Sequence, residues 1–185
     1  MKRREFLSIG FVLAAFGITS SAVGEQHAEE KGREAMFEIP TALKIEHEKL
    51  HADLSAATKL TGKTEQAAKA VAEVLHEHFL SEEEFAMPPL ALLAPIAEGR
   101  VTPEMRSVIT LTDRLKAEMP RMLREHKAIV QTLDELGRAA KAERHPEVSR
   151  FVEELTTHAQ TEEQVLYPAA IVVGEYLKLK FSAVR

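Results

Sequence analysis

Hydrophobic residues recur every three or four positions along most of the chain, with charged residues between them. This spacing is typical of amphipathic helices that bury one face. The pattern predicts four long helices, which cover residues 40–60, 64–86, 103–142 and 147–166. A short apolar segment at 90–97 and a final apolar helix that ends near residue 179 complete it. Four long helices with short connections predict an all-α fold, an up-down-up-down four-helix bundle.

Proline and glycine mark most of the predicted helix boundaries. Gly62 ends the first helix and Pro88 the second, while Thr102 is a candidate N-cap of the third. Pro120 lies inside the third helix, where a proline predicts a kink or a break. The fourth helix is expected to end before Pro168, because proline cannot continue the α-helical hydrogen-bond ladder.

The first 24 residues have the three-part layout of a secretory leader. A basic start precedes an apolar run at 9–18 and small residues that allow cleavage after Ala22 or Gly24. This run is about ten residues long, whereas a membrane-spanning helix needs about twenty. Arg3 and Arg4, followed by Phe6, resemble the bacterial twin-arginine signal. We predict a twin-arginine signal peptide, periplasmic localisation and no stable membrane span after processing.

The rest of the chain divides into three parts on composition. A polar linker covers 25–38, the helical bundle covers 39–179, and a short tail covers 180–185. The chain has 185 residues, of which 45% are hydrophobic and 29% charged, and this fits one globular domain. Its basic residues are scattered among acidic ones, so we expect no nucleic-acid partner. Cysteine is absent, so any bound metal must be held by nitrogen and oxygen ligands.

One motif occurs twice, eighty residues apart, and it carries the candidate chemistry. His78-x-x-x-Glu82 recurs as His158-x-x-x-Glu162, and each copy is followed by a proline. A Glu-His pair precedes each copy, ending at His47 in the first case and at His126 in the second. Residues four apart lie on the same face of a helix. The chain thus consists of two helical hairpins, each with a lone His and a His-x-x-x-Glu.

The six candidate residues all fall within the apolar stripes of their predicted helices. A single inward His is usually a hydrogen-bonded core residue, but a carboxylate is rarely buried without a partner. Two inward Glu, each one turn from an inward His, therefore indicate a metal site. The predicted ligands are His47, His78, Glu82, His126, His158 and Glu162. Glu83 and Glu163 lie about 80–100° further round their helices and are expected to be solvated.

A rival metal-binding pattern, Glu-x-x-His, also occurs twice. It is formed by Glu48 with His51 and by Glu73 with His76. Most of these side chains fall on the polar sides of their helices, with His51 at the edge of its stripe, so we interpret both pairs as surface residues. His27 and His145 lie in a predicted linker and a predicted turn, and we assign them no role.

The order, spacing and facing of the six ligands resemble the hemerythrin-like (HHE cation-binding) family, from about residue 41 to 168. The resemblance implies a non-haem di-iron centre in which the two Glu bridge two iron ions and the His cap them. Manganese and zinc are alternatives, because imidazole and carboxylate ligands suit all three metals. One departure is that Met122 and Val130 flank His126, where the oxygen carriers have a second His on this helix. Fewer protein ligands leave more coordination positions open.

The resemblance implies binding of dioxygen or a related small ligand, such as peroxide or nitric oxide. Two other classes stay open: a peroxidase- or oxidase-like scavenger on the same centre, and a metal-binding or sensing module without turnover. We assign no catalytic residue and no protein partner from the sequence.

Overall fold

The computed structural model describes residues 38–183. The predicted signal peptide at 1–24 and nearly all of the predicted linker lie outside this range. Within it the secondary structure is entirely helical, which confirms the all-α bundle. The helices are α1 (Thr41–Ala57), α2 (Lys63–Ser81), α3 (Leu93–Ala97), α4 (Val108–Glu143), α5 (Pro146–Thr161) and α6 (Tyr167–Ser182). Two 3₁₀ turns, Pro88–Leu92 and Pro103–Ser107, connect α2 to α3 and α3 to α4.

Two hairpins build the bundle. The first hairpin, residues 41–86, contains α1 and α2; the second, residues 108–166, contains α4 and α5. Each helix with a His-x-x-x-Glu motif ends in a π turn, Glu82–Ala86 after α2 and Glu162–Leu166 after α5. None of the helices between residues 38 and 183 combines the length and the apolar character needed to cross a membrane.

The helix starts and ends follow from local sequence. Gly62 has a φ of 87°, a left-handed conformation that glycine adopts readily, and it turns the chain into α2. The Glu143 carboxylate, at the end of α4, accepts hydrogen bonds from the backbone N–H groups of Lys63 and Thr64 at 2.8 and 2.9 Å. It thereby caps α2 from another helix. Pro146 begins α5 at its first turn, where its missing N–H costs no helical bond.

Two predictions concern proline. The sequence predicts a kink or a break at Pro120, and the break is absent, because α4 runs through this residue without interruption from Val108 to Glu143. Leu115 and Met122, on either side of it, are buried in one apolar cluster that supports the helix there. The predicted end before Pro168 is confirmed, because α5 ends at Thr161 and its π turn ends at Leu166. The N–H of Tyr167 bonds to the carbonyl of Glu162, five residues back, so the α-helical ladder is interrupted there, and α6 begins at Tyr167 with Pro168 in its first turn.

The core consists of apolar clusters along the bundle, with a polar layer between two of them. The first cluster includes Phe79, Ile129 and Leu155. The second includes Phe85 and Met122. Along α4, His126 falls between Met122 of one cluster and Ile129 of the other. The buried polar residues therefore have apolar packing above and below them.

Candidate metal centre

The structure brings the six predicted ligands together in this polar layer. Each is ionisable, yet none is more than 3% exposed. Burial of so many such groups costs free energy unless they pair with one another or bind cations. They are His47 on α1, His78 on α2, Glu82 at the start of the first π turn, His126 on α4, His158 on α5 and Glu162 at the start of the second π turn.

Their donor atoms form two groups that share both carboxylates. The His47/His158 group and the His78/His126 group each include Glu82 and Glu162. Within a group, one donor atom from each residue lies within 4.8 Å of the others. Between residues 38 and 183 these are the two groups of at least three His, Asp or Glu side chains with such convergence. Two cation positions joined by shared carboxylates are the arrangement of a bridged metal pair.

Distances within the centre show that each carboxylate reaches imidazoles of both hairpins. Glu82 Oε1 lies 3.1 Å from His78 Nε2 in its own hairpin and 3.8 Å from His126 Nε2 in the second hairpin. Glu162 Oε1 lies 2.9 Å from His158 Nε2 in its own hairpin and 3.7 Å from His47 Nε2 in the first hairpin. The Nε2 atoms of the four histidines thus all face the two carboxylates.

Three buried atoms of the centre that lack hydrogen-bond partners show that these residues fit a pair of cations. His78 Nε2, Glu82 Oε2 and Glu162 Oε1 are fully buried and make no hydrogen bond within the described structure. Buried polar atoms are nearly always hydrogen-bonded, so an unpartnered set needs an explanation. These three atoms are also ligand atoms that imidazole and carboxylate would direct at a metal. A pair of cations would satisfy all of them.

The π turns explain how the two carboxylates reach the centre. Each turn begins at a predicted bridging residue, Glu82 or Glu162, and contains one wider loop of backbone in which the N–H bonds five residues back. Such turns occur often at functional sites. The sequence carries a signal for them that the helical periodicity does not, because Pro88 and Pro168 each follow the Glu by six residues.

Four further carboxylates face the outer nitrogens of the histidines. Nδ1 of His47 donates to Glu83 at 3.3 Å, and Nδ1 of His126 donates to Glu163 at 2.9 Å. The Glu83 and Glu163 side chains are 42% and 39% exposed. The prediction that they are solvated is thus right about exposure, but it missed their bonds to the predicted ligands. A carboxylate at Nδ1 fixes the ring orientation and leaves Nε2 free for a metal.

The other two histidines receive the same kind of partner from the Glu-His pairs. Nδ1 of His78 donates to Glu125 at 2.9 Å, and Nδ1 of His158 lies 3.3 Å from Glu46. Each of these Glu precedes a predicted ligand in sequence, but it serves a histidine on a neighbouring helix. Arg121 binds Glu125 at 2.5 Å from the side away from the centre.

The electrostatics of the cluster favour the charged forms of His78, His126, His158 and Glu162. Burial lowers the pKa of His126, but interactions with Glu162 and Glu82 outweigh it and raise this pKa to about 10. Burial also lowers the pKa values of His78 and His158, and neighbouring carboxylates more than reverse the effect. Burial raises the pKa of Glu162, whereas its imidazole neighbours bring it well below the usual range. Protons and metal ions therefore compete for the same nitrogen atoms.

A tyrosine that the sequence reasoning gave no role completes the centre. The hydroxyl of Tyr167, which is 1% exposed, donates to Glu82 Oε1 and lies 3.2 Å from His126 Nε2. Burial and the charge of Glu82 raise the pKa of Tyr167 well above its usual value. Its position directly before Pro168 in the second copy of the motif was the available signal.

The rival Glu-x-x-His pairs lie on the surface, as expected. Glu48, His51, Glu73 and His76 are all exposed. His51 packs edge-on against Phe79, and burial of part of its ring lowers its pKa. His145 interacts with Glu147 in the turn between α4 and α5. His27 lies outside the described residues.

Comparison with known proteins supports the same interpretation for one hairpin. The sequence model of the hemerythrin HHE cation-binding domain matches residues 119–179, which include His126, His158 and Glu162. This part of the chain is similar to that domain. No curated protein and no solved structure gives a significant match. The first hairpin lies outside the matched range, yet it carries the same ligand spacing and contributes the other half of the His/Glu cluster.

Proposed function

We propose that the whole bundle is a hemerythrin-like domain that holds two iron ions and binds dioxygen or a related small ligand, such as peroxide or nitric oxide. The observation that carries this proposal is the pair of four-residue groups sharing Glu82 and Glu162. In this proposal both carboxylates bridge, while His47, His78, His126 and His158 complete the two positions. The match to a cation-binding family over the second hairpin supports it.

The donor set is compatible with iron and leaves room for a ligand. Imidazole and carboxylate suit iron, with manganese and zinc as alternatives, and bridged cations lie about 3.5–4 Å apart. Each position receives two imidazoles and two shared carboxylates, fewer than the six ligands of an octahedral ion. Met122 and Val130, one turn from His126, supply no imidazole. Open coordination positions would accept a diatomic or peroxide ligand.

The surrounding residues would protect such a centre. Bound iron would supply electrons to a dioxygen or peroxide ligand. The apolar clusters on both sides exclude bulk water, and the outer carboxylates hold the imidazole rings in place. The Tyr167 hydroxyl offers a hydrogen bond inside the centre. That hydroxyl is the observation that favours the second candidate function, a peroxidase- or oxidase-like enzyme, because a hydrogen-bond donor inside the centre would stabilise negative charge that develops on a reacting oxygen.

Metal analysis combined with a visible spectrum tests the proposal. Protein purified in air from iron-supplemented cells should contain two irons per chain and absorb visible light, and reduction should change the spectrum. Glu162→Ala should lose both the iron and the absorption. Glu73→Ala, which alters an exposed residue, should keep them. Stoichiometric zinc, or less than one iron per chain, would contradict the proposal. Sustained turnover of hydrogen peroxide would identify an enzyme instead of a binding protein.

Export to the periplasm is a separate proposal, and it rests on residues outside the described structure. Arg3 and Arg4 precede a short apolar run. Replacing both with Lys keeps the positive charge but removes the planar guanidinium groups. The variant should accumulate in the cytoplasm with normal metal content, as measured by cell fractionation. Normal periplasmic amounts of the double-Lys protein would disprove the twin-arginine assignment.

A further inference from the structure

The surroundings of the two cation positions differ at one side chain. Tyr167 stacks on the ring of His126, with ring centroids 5.6 Å apart and an angle of 25° between the planes. Its hydroxyl contacts Glu82 Oε1 and His126 Nε2. His126 belongs to the His78/His126 group, and Glu82 belongs to both groups. Glu82 Oε1 is the carboxylate oxygen that lies 3.1 Å from His78 Nε2 and 3.8 Å from His126 Nε2. The hydroxyl is therefore placed against the ligand atoms of one position.

Among residues 38–183, the repeat gives the other position no equivalent contact of this kind. Tyr167 follows His158 by nine residues, and the residue nine after His78 is Met87, whose side chain has no hydroxyl. The ring of His47 stacks instead on Phe79, with ring centroids 4.4 Å apart. The two groups thus have matching ligands and different neighbours.

We propose that Tyr167 is a positioning residue that makes the two cation positions inequivalent, so that the His78/His126 position binds its ion with a different affinity from the His47/His158 position. By occupying Glu82 Oε1, the hydroxyl fixes how this shared carboxylate is presented to the His78/His126 ion. The oxygen on its other side, Glu82 Oε2, faces His47 and has no hydrogen-bond partner. This inference rests on the proposed metal pair.

The composition gives a direct probe of this contact. The chain contains two tyrosines and no tryptophan. Protein labelled with ¹³C at the tyrosine ring carbon that bears the hydroxyl should therefore give two signals. Tyr176→Phe assigns them, because Tyr176 lies further along α6 and contacts Lys180 outside the centre. Zinc is the probe, since it has no redox chemistry and is diamagnetic.

Two matched variants separate the positions. His158→Ala removes an imidazole from the His47/His158 group, and His78→Ala removes the equivalent imidazole from the other group. Zinc should move the Tyr167 signal of His158→Ala about as far as that of the unaltered protein. It should move the signal of His78→Ala by less than half as much. Equal shifts in the two variants, with zinc bound to both, would overturn the inference and leave the metal pair intact.

Calorimetry of Tyr167→Phe supplies a second measurement, because phenylalanine keeps the ring and removes only the hydroxyl. Loss of such a supporting contact typically changes metal affinity about 10–100-fold. We expect a change of this size for one of two zinc ions and less than about threefold for the other. Equal changes in both affinities, or no change in either, would overturn the inference. Binding of fewer than two ions by the unaltered protein would overturn both the inference and the proposed function.

Discussion

The first hairpin places its lone histidine against a phenylalanine, whereas the second places its own against a tyrosine. His47 stacks on Phe79 and bonds to the half-exposed Glu83. His126 stacks on Tyr167 and bonds to Glu163 at a shorter distance. The ligands themselves repeat at eighty-residue spacing or within one residue of it. The proposed bridging of two ions would explain the repeated ligands, and the unrepeated neighbours would allow the two positions to differ.

The carboxylates that bond to the outer nitrogens of His78 and His158 also differ between the two groups. Glu125, which bonds to His78, is held by Arg121 and is 29% exposed. Glu46, its counterpart beside His158, is 49% exposed. The residue that corresponds to Arg121 in the first hairpin is Ala42, which provides no such charge. The His78/His126 group is therefore the more rigidly supported of the two.

The largest effect should come from Glu82 and Glu162, which occupy equivalent places in the two hairpins. Replacing Glu82 or Glu162 with Ala should abolish binding of both ions, because each carboxylate belongs to both groups. Metal content per chain is the measurement. Glu84→Ala, two residues from Glu82 and paired with Arg114 on the surface, should retain both ions. If either bridging variant kept one tightly bound ion, the two carboxylates would not be shared as proposed.

The outer carboxylates should show the asymmetry at a smaller scale. Glu125→Gln should weaken zinc binding about 10–100-fold, since it removes a charged partner that fixes the His78 ring. Glu46→Gln should weaken binding less, because its carboxylate is 3.3 Å from His158 and half-exposed. Competition with a chelator of known affinity measures both. A larger effect at Glu46 would reverse the ranking of the two groups.

The residues just discussed show where reasoning from sequence succeeds and where it stops. The four helices and the inward facing of His47, His78, His126 and His158 were predictable, because a period of 3.6 residues fixes which side chains share a stripe. The roles of Glu83 and Glu163 were not. A rotation of 80–100° away from the stripe was read as a turn toward solvent, but in a bundle it also points toward the next helix.

The π turns and the course of α4 were missed for related reasons. One extra residue in a single turn hardly alters the apolar periodicity, so only the spacing from Glu162 to Pro168 records it. Pro120 predicted a kink or a break because its local preference was weighed alone. The packing of Leu115 and Met122 on either side outweighs that preference. Tertiary contacts of this kind are invisible in a one-helix analysis.

The two hairpins differ most in the segment that follows the His-x-x-x-Glu motif. A substitution at Gly174 tests how closely this segment packs in the second hairpin. The chain turns after Pro88, whereas α6 continues after Pro168 and packs on α4. A Cβ on Gly174 would lie 1.9 Å from the Thr112 Oγ1 atom. Gly174→Ala should therefore destabilise the protein by about 1–3 kcal/mol through overpacking. Thermal or denaturant unfolding measures this change.

Gly137→Ala is the matched control for that substitution. Gly137 lies within α4, and its added Cβ would make an ordinary 3.5 Å contact with Val152. The substitution should stabilise the protein by about 0.4–1 kcal/mol, because alanine has less conformational freedom in the unfolded chain. Stabilisation by both substitutions would show that α6 does not approach α4 as closely as described.

The smallest expected effect concerns the first turns of α2 and α5, the two helices that carry the His-x-x-x-Glu motifs. The start of α2 is capped by Glu143, whereas α5 begins with its own Pro146. Hydrogen bonds from Thr64 and from the Lys63 N–H lower the pKa of Glu143 to about 2. The pKa of Glu143 is lower in the folded state than in the unfolded state, where it is about 4.3. The contribution of Glu143 to the stability of the folded protein is therefore complete above about pH 4.3 and is lost as pH falls toward 2.

Glu143→Gln should accordingly lower the melting temperature at pH 7, and the difference from the unaltered protein should shrink between about pH 4.3 and pH 2. Melting curves across that interval are the measurement. Glu147→Gln, which alters the first turn of α5, is the comparison. A difference between Glu143→Gln and the unaltered protein that stayed constant down to pH 2 would rule out ionisation of Glu143 as its source.

Each group takes residues from both hairpins, and this determines when during synthesis the centre can bind metal. His47 and Glu82 emerge early in synthesis, but their partners His158 and Glu162 are separated from them by most of the bundle sequence. A newly made first hairpin has one carboxylate and two imidazoles, and it completes neither group. Loading of the centre must therefore wait until the last quarter of the chain has been translated and has folded back. Iron would then bind only to the assembled bundle and stabilise it, and a truncated or stalled chain would not bind iron at this centre.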